Sequence, residues 1–313
     1  MMTRYIAAAL LTLASCGQAW PAGTTQPAAS QSSAPSSSPY AANVRFIASE
    51  SVTGSLIGSE YTGPPRPAPR DPQGHPDLTG FWKGMIEKGK PGGNIGKDQP
   101  GFKLPLTPAG EAALRKNLTQ VVDPESRCIH GGVPRHEASG IPFQILQTAQ
   151  VVGFVYYLGH RLVPVDGRKH DPDPEPTYFG NAIGRWEGDT FVVDVIGFKD
   201  SKDGNLWIDE NGNPQSERTH LVERWTRPDY HHLHLALTVD DPVYYRHLFT
   251  FDRTWIRGGP GERLNEYACN ENNTDLPHLG PGPGAIGPDG NRGSGYMHKP
   301  LPDVPPGPEA YGK

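Results

Sequence analysis

Only three of the 313 residues are cysteine, and no Cys-x-x-Cys pair occurs. The common dithiol redox signature is therefore absent. No Gly-x-Ser-x-Gly elbow and no His-Glu-x-x-His segment is present, which removes the usual hydrolase and zinc-protease signatures. Positive charge is not concentrated: 29 Lys and Arg oppose 34 Asp and Glu, for a net charge of -5. Without a basic block there is no electrostatic footprint for nucleic acid. The Gly/Lys-rich stretch 89–101 lacks phosphate-loop spacing, so nucleotide binding is not expected. The apolar run at residues 6–13 is too short to span a bilayer in a mature protein. Helix-period segments are scarce as well; only residues 107–118 read as a helix, with Thr107 as N-cap, Pro108 at the first position and Glu111 in the first turn. No motif calls for an organic cofactor, and none is expected.

What the chain has instead is strand. Residues 181–198 form two strand-like runs around the Glu187-Gly188-Asp189 turn. In the second run Phe191, Val193 and Val195 alternate with Val192, Asp194 and Ile196. A run apolar on both faces belongs in a sandwich or barrel wall. Asp194 is the exception, since a carboxylate there needs a partner or a purpose. Further strands are expected at 142–148, 151–160, 161–165, 219–226, 231–240, 243–256 and 263–268, separated by Gly, Pro, Asn and Asp turns. The expected fold is mostly β, a single antiparallel barrel or sandwich with one short helix near 107–118. Composition divides the chain into a leader (1–15), a Ser/Ala/Pro tether (16–74), the β domain (75–275) and a Gly/Pro-rich tail (276–313).

Ionisable residues on apolar strands are the candidates for chemistry. Glu223 shares a face with Leu221 and Trp225, so it points inward, where burial raises a carboxyl's pKa and makes a general acid. Asp194 is its candidate partner, unless one of the two pairs with Arg185 or Arg253. His160, ending an alternation with Val152, Phe154, Tyr156 and Leu158, is a candidate base or a structural histidine. Tyr245, His247, Phe249, Phe251, Arg253 and Trp255 alternate as an aromatic wall, either core or a ligand-stacking surface. With Tyr156 and Trp186, the members Tyr245, His247 and Arg253 are the candidate ligand contacts. His232 and His234 face away from Leu233 and Leu235, as a solvated face or a weak metal pair lacking a third ligand.

The N-terminus resembles a bacterial lipoprotein signal: Arg4, a short apolar run, then Leu13-Ala14-Ser15-Cys16. The resemblance makes Cys16 the lipidated residue, with Gly17 after it favouring the outer membrane. The alternative is an ordinary secretory signal cleaved after Ala22, leaving a soluble periplasmic protein. Either way Cys128 and Cys269 reach an oxidising compartment, where two thiols pair; a reactive Cys128 beside His130 is the other reading. Gly80-Phe81-Trp82 resembles the Gly-x-Trp that opens lipocalin-like barrels.

Together with Gly184-Arg185-Trp186-Glu187-Gly188-Asp189-Thr190, Trp207-Ile208-Asp209 and the stretches 128–135, 142–148, 219–225 and 266–272, this resembles a large family of exported bacterial proteins without an assigned activity. The resemblance emphasises Asp209, His220 and Glu223, and it implies a histidine where Gln215 stands. Two functions remain open. One is an enzyme drawing acid/base groups from His160, Asp194, Asp209, His220 and Glu223 to act on a small aromatic or cyclic molecule by hydrolysis, elimination or isomerisation. The other is a membrane-tethered carrier of an apolar ligand. An enzyme calls for at least one carboxylate–histidine pair within hydrogen-bond reach inside a pocket, with a perturbed pKa, and a carrier for a pocket with few titratable groups.

Overall fold

A computed structural model describes residues 63–84, 95, 103–199, 206–271 and 279–282. The leader, Cys16, most of the tether, most of the 89–101 stretch and most of the tail lie outside the described residues.

Nine strands form one antiparallel sheet: β1 (Gly80–Gly84), β2 (Phe143–Gln147), β3 (Val151–Val155), β4 (His160–Pro164), β5 (Asn181–Glu187), β6 (Thr190–Ile196), β7 (His220–Thr226), β8 (His232–Asp240) and β9 (Phe249–Arg257). Their spatial order is β4-β3-β2-β1-β9-β8-β7-β6-β5. The sheet curls until its two edge strands meet. A Cβ added to Gly184 on β5 would lie 2.8 Å from Val163 Cγ1 on β4, so the edges touch through side chains. The result is a nearly closed barrel.

The expected alternation sets the register. Val193 stands opposite Glu223, and Leu221 opposite Val239, so inward faces stay in line around the wall. The interior is filled by large rings. Trp82, Trp225, Trp255, Phe143, Phe154, Phe191 and Phe251 are all essentially unexposed. Phe143 meets Trp255 edge-on at 5.3 Å and Trp225 at 5.8 Å. Trp82 donates its Nε1 hydrogen to Leu78 O at 3.0 Å, which settles its one polar atom.

Helix α1 (Pro108–Gln120) forms as expected, with Thr107 Oγ1 accepting from Gly110 N at 3.0 Å. A second helix, α2 (Arg135–Ser139), was not expected. It is five residues long, too short for a periodic signal. Three expected strand limits also move. The alternation from residue 151 stops at Val155, so His160 does not share a face with Tyr156. β9 begins at Phe249, leaving Tyr245 and His247 in the preceding turn, where Asp241 Oδ1 gathers Val243 N and Tyr244 N. Residues 263–268 make no strand, being outside any ladder.

The chain is already against the barrel before residue 75. Arg66 stacks on Tyr230 at 3.9 Å, and Arg70 forms a two-point ion pair with Asp189 at 2.6 and 2.7 Å. It touches it again after 276, where Gly282 N donates to Val121 O at 2.7 Å. Cys128 and Cys269 are joined, with their Cα atoms 5.7 Å apart across 141 residues of sequence. On the chain-entropy model a loop of that size stabilises by about 4–5 kcal/mol. The Cys128→Ser/Cys269→Ser variant should lose about that much unfolding free energy in urea titrations; a loss below about 1 kcal/mol would mean that the unfolded chain gains little freedom when the bond is absent.

Candidate active site

Helix α2 carries Arg135, His136 and Glu137, and all five of its residues are buried. Local chemistry stops it. Pro134 precedes it, and Gly140 ends it at φ 72°, a left-handed position that glycine adopts without strain. The end of the helix seats on β1 so tightly that a Cβ on Gly84 would lie 2.0 Å from Gly140 O. Arg253 on β9 donates from Nε to Ala138 O at 3.1 Å, meeting a carbonyl that the short helix leaves open.

Glu137 projects into a buried group of four side chains. Arg161 on β4 grips Glu223 on β7 through two parallel hydrogen bonds, Nη1 to Oε1 at 2.5 Å and Nη2 to Oε2 at 2.6 Å. Trp225 Nε1 donates to Glu223 Oε2 at 2.8 Å. Arg161 Nη2 also donates to Glu137 Oε1 at 3.1 Å, and the Tyr156 hydroxyl donates to the same oxygen at 2.6 Å. Arg161 Nε in turn donates to the Tyr156 oxygen at 3.1 Å, and the guanidinium lies 4.5 Å from the Phe154 ring centre. Two carboxyl groups thus share one guanidinium. Burial opposes the Arg161 charge, but Glu223, Tyr156 and Glu137 hold its pKa well above the ordinary value. Burial pushes the Glu137 carboxyl up to about 8; Glu223 adds to that rise, and Arg161 and the Tyr156 hydrogen bond oppose it. Glu137 is therefore mostly a neutral acid at pH 7, and its Oε2 is buried without a hydrogen-bond partner.

Arg135 and His136 find other partners. Arg135 Nη2 donates to Asp123 Oδ2 at 2.8 Å, and Nε lies 2.8 Å from Glu125 Oε2. Burial lifts the Glu210 carboxyl to about 7, with Arg135 opposing and Glu125, Asp123 and Asp209 adding. His136 is stacked between Tyr156 (4.7 Å between centroids) and Phe179 (5.6 Å). Burial and the Arg135 charge depress it to about 3, so it is neutral, and neither ring nitrogen has a hydrogen-bond partner. Further unpartnered polar atoms belong to Trp207, Asn211 and Gln215 in the neighbouring loop. Gln215, where the family resemblance implies histidine, donates from Nε2 to Val133 O at 3.1 Å, just before α2.

Of the residues singled out from sequence, Glu223 and Tyr156 meet here through Arg161. Asp194 does not join them. It stands opposite Val222, one residue out of phase with Glu223, and so faces the other side of the wall. The expected Asp194–Glu223 pair is therefore excluded, and Arg185 pairs with Glu187 instead of either one. Asp194 Oδ1 contacts His220 Nε2 at 3.1 Å and His170 Nε2 at 2.7 Å, a partly exposed carboxylate–histidine group on the outer face. Asp209 is fully buried, but its oxygens are taken by its own turn: Asn211 N at 3.0 Å, Asn213 N at 3.3 Å and Asn213 Nδ2 at 2.8 Å. Burial raises its pKa against those hydrogen bonds.

His160 and His247 are exposed. Tyr245 donates its hydroxyl to Pro214 O at 2.8 Å, Arg253 serves α2, and Phe249, Phe251 and Trp255 are core, so the aromatic wall packs the interior. Trp186 stacks on His75 at 4.5 Å. His232 contacts Asp229 Oδ2 at 2.7 Å and His234 contacts Thr254 Oγ1 at 2.8 Å, each facing its own partner. Among the described residues no group of His, Cys, Asp or Glu is placed to hold a metal. His234, Arg224, Thr190, Thr226 and Asp252 line a shallow depression of about 430 Å³ on the sheet, away from the Glu137 group.

Glu137, His136, Arg161 and His170 were not singled out from sequence. Arg161 had a signal, since it alternates with Val163 as Glu223 does with Leu221. Glu137 had none. The chain matches no known family model and no curated protein.

The pH dependence follows from these values. Glu137 in the folded chain keeps a proton that an unfolded glutamate releases near about 4.3. That stabilisation is complete below the unfolded value and is lost as pH rises towards about 8. Neutral His136 works the other way: its contribution is complete above about 6.5 and is lost as pH falls towards about 3. From about 6.5 upward the raised carboxyls, Glu137 and Glu210 foremost, set the trend, so the melting temperature should fall between there and pH 8, and Glu137→Gln should flatten the upper part of that fall. An unchanged slope in the variant would refute the assignment. Arg161→Met strands Glu223 and should cost about 3–5 kcal/mol. Glu223→Gln should cost less, because Glu137 can ionise and replace the lost charge; equal losses in denaturant titrations would deny that exchange.

Proposed function

We propose that the protein is an exported acid/base enzyme acting on a small aromatic or cyclic molecule, with Glu137 as the group that moves the proton. The observation that carries this reading is the buried Glu137 carboxyl, neutral at pH 7, with Oε1 held by two donors and Oε2 unpartnered. A group that titrates near working pH serves both as acid and as base. Glu137 gives its proton to a carbonyl or leaving-group oxygen. The carboxylate left behind is stabilised by the Tyr156 hydroxyl and Arg161, both already aimed at it. Hydrolysis, elimination and isomerisation share this step. His136, Tyr156 and Phe179 stack on one another next to the acid, an aromatic surrounding that matches an aromatic or cyclic substrate. A carrier of apolar ligands needs an empty apolar interior, and the tryptophans and phenylalanines that fill this barrel count against it.

Export rests on the leader resemblance and is supported by the Cys128–Cys269 bond. Lipidation at Cys16, and with it a place on the periplasmic side of the outer membrane, is part of the same reading.

The test is substrate-blind. Oxidised protein is incubated with a small-molecule extract, and compound masses are compared before and after. Wild type should consume compounds that Glu137→Gln does not, while the two melt alike at pH 6, because glutamine is the neutral isostere of the protonated acid. Equal consumption by wild type and variant would overturn the role of Glu137.

A further inference from the structure

Arg161, Glu137 and Glu223 are 5%, 1% and 0% exposed. A molecule that reaches them must pass through the wall or past a barrel end. The wall is not uniform. Eight junctions between neighbouring strands are hydrogen-bonded ladders, and the ninth, between β4 and β5, has none. There the strands meet by side-chain contact. Phe191 and Val163 occupy the space above Gly184, at 2.6 and 2.8 Å from where its Cβ would stand.

The two sides of this seam are held differently. β5 is laddered to β6 over its whole length, from Asn181 opposite Ile196 to Glu187 opposite Thr190. The connection leading into it is pinned as well: His170 contacts both Asn181 Oδ1 at 2.9 Å and Asp194 Oδ1 at 2.7 Å, and Thr177 N donates to Gly197 O at 3.1 Å. β4 is five residues long, laddered only to β3, and ends at Pro164, which has no N–H to offer. Its outward Leu162 is 63% exposed. Arg161, the residue that covers the two glutamates, sits on this strand.

We infer that the β4–β5 seam is the route by which small molecules reach the buried site, with β4 swinging on its ladder to β3. Opening the seam breaks no ladder hydrogen bond in the wall, whereas any other junction must break several; the contacts that hold it shut are those of Arg161 to Glu223, Glu137 and Tyr156. The movement draws Arg161 from Glu223 and Glu137 and uncovers both carboxyl groups from one side. This inference rests on the catalytic reading for its biological purpose, but the opening itself does not depend on turnover.

Phenylglyoxal, a small arginine reagent, tests it directly on the full-length protein, with labelled arginines located by peptide mass spectrometry. Arg135 is as buried as Arg161 but lies on α2 rather than on either strand of the seam, where Asp123 and Glu125 hold it, and so reports labelling through wider unfolding. Arg161 should be labelled faster than Arg135 by about tenfold or more, as expected when local opening precedes global unfolding. Gly184→Ala, whose methyl group wedges against Phe191 and Val163, should speed labelling of Arg161 and leave Arg135 unchanged. A cross-link between Val163→Cys and Gly184→Cys should slow Arg161 to the Arg135 rate, with single Val163→Cys as the control. Equal rates for the two arginines in the wild type, or undiminished Arg161 labelling in the cross-linked protein, would overturn the seam. If the cross-link does not form, the wild-type ratio and Gly184→Ala still decide. Gated labelling together with equal turnover by wild type and Glu137→Gln would keep the seam and reject the catalytic reading.

Discussion

The barrel is organised around one buried charge. Arg161 cannot leave water without partners, and a lone guanidinium inside an apolar wall is prohibitively unfavourable. Glu223 supplies the neutralising carboxylate with matched two-point geometry. Once that pair forms, a second carboxyl beside it has no net charge to balance, so Glu137 stays protonated. Tyr156 donates to Glu137 Oε1 and Trp225 to Glu223 Oε2, which leaves Glu137 Oε2 alone without a partner in the group. Four elements, α2, β3's end, β4 and β7, must be in place for the group to be satisfied. The charge thus fixes where the helix sits, how far β4 closes and which acid remains available for proton transfer.

A second group of titratable residues sits outside the same wall. His170 and His220 converge on one oxygen of Asp194. Its structural effect is plain: it ties the connection between β4 and β5 to β6 and β7, so the wall is firm on that side of the seam. Inner and outer groups therefore have separate work. The inner one neutralises Arg161 and leaves one acid poised, and the outer one holds the strand against which β4 closes.

Much of the architecture was legible in the residue pattern. Period-two alternation located β2, β4, β5, β6, β7 and β8 almost to the residue, because successive side chains of a strand point to opposite faces and turn residues bound each run. Thr107 and Pro108 marked the start of α1, and the inward direction of Glu223 followed from Leu221 and Trp225. The Cys128–Cys269 disulfide matched the pairing expected for two thiols. The limits of β3 and β9 were less legible, since apolar residues continue into the turns beyond them and are buried there by tertiary contact. Tyr245 is core without being strand.

The sequence by itself determined a mostly-β antiparallel barrel or sandwich, its strand phase, its helix start and the presence of an inward carboxylate; closure into a barrel was decided by the tertiary structure. It could not say which charge met that carboxylate. Asp194 was as plausible as any, and only the register, which sets Val193 rather than Asp194 opposite Glu223, sent it to the outer face. Arg161 lies 62 residues from Glu223 and Glu137 lies 24 residues from Arg161. Such pairings carry no local signature, because the energy that selects them is desolvation, and desolvation is a property of the closed barrel. The same is true of α2, five residues with no periodic signal of their own, whose burial belongs to the closed wall.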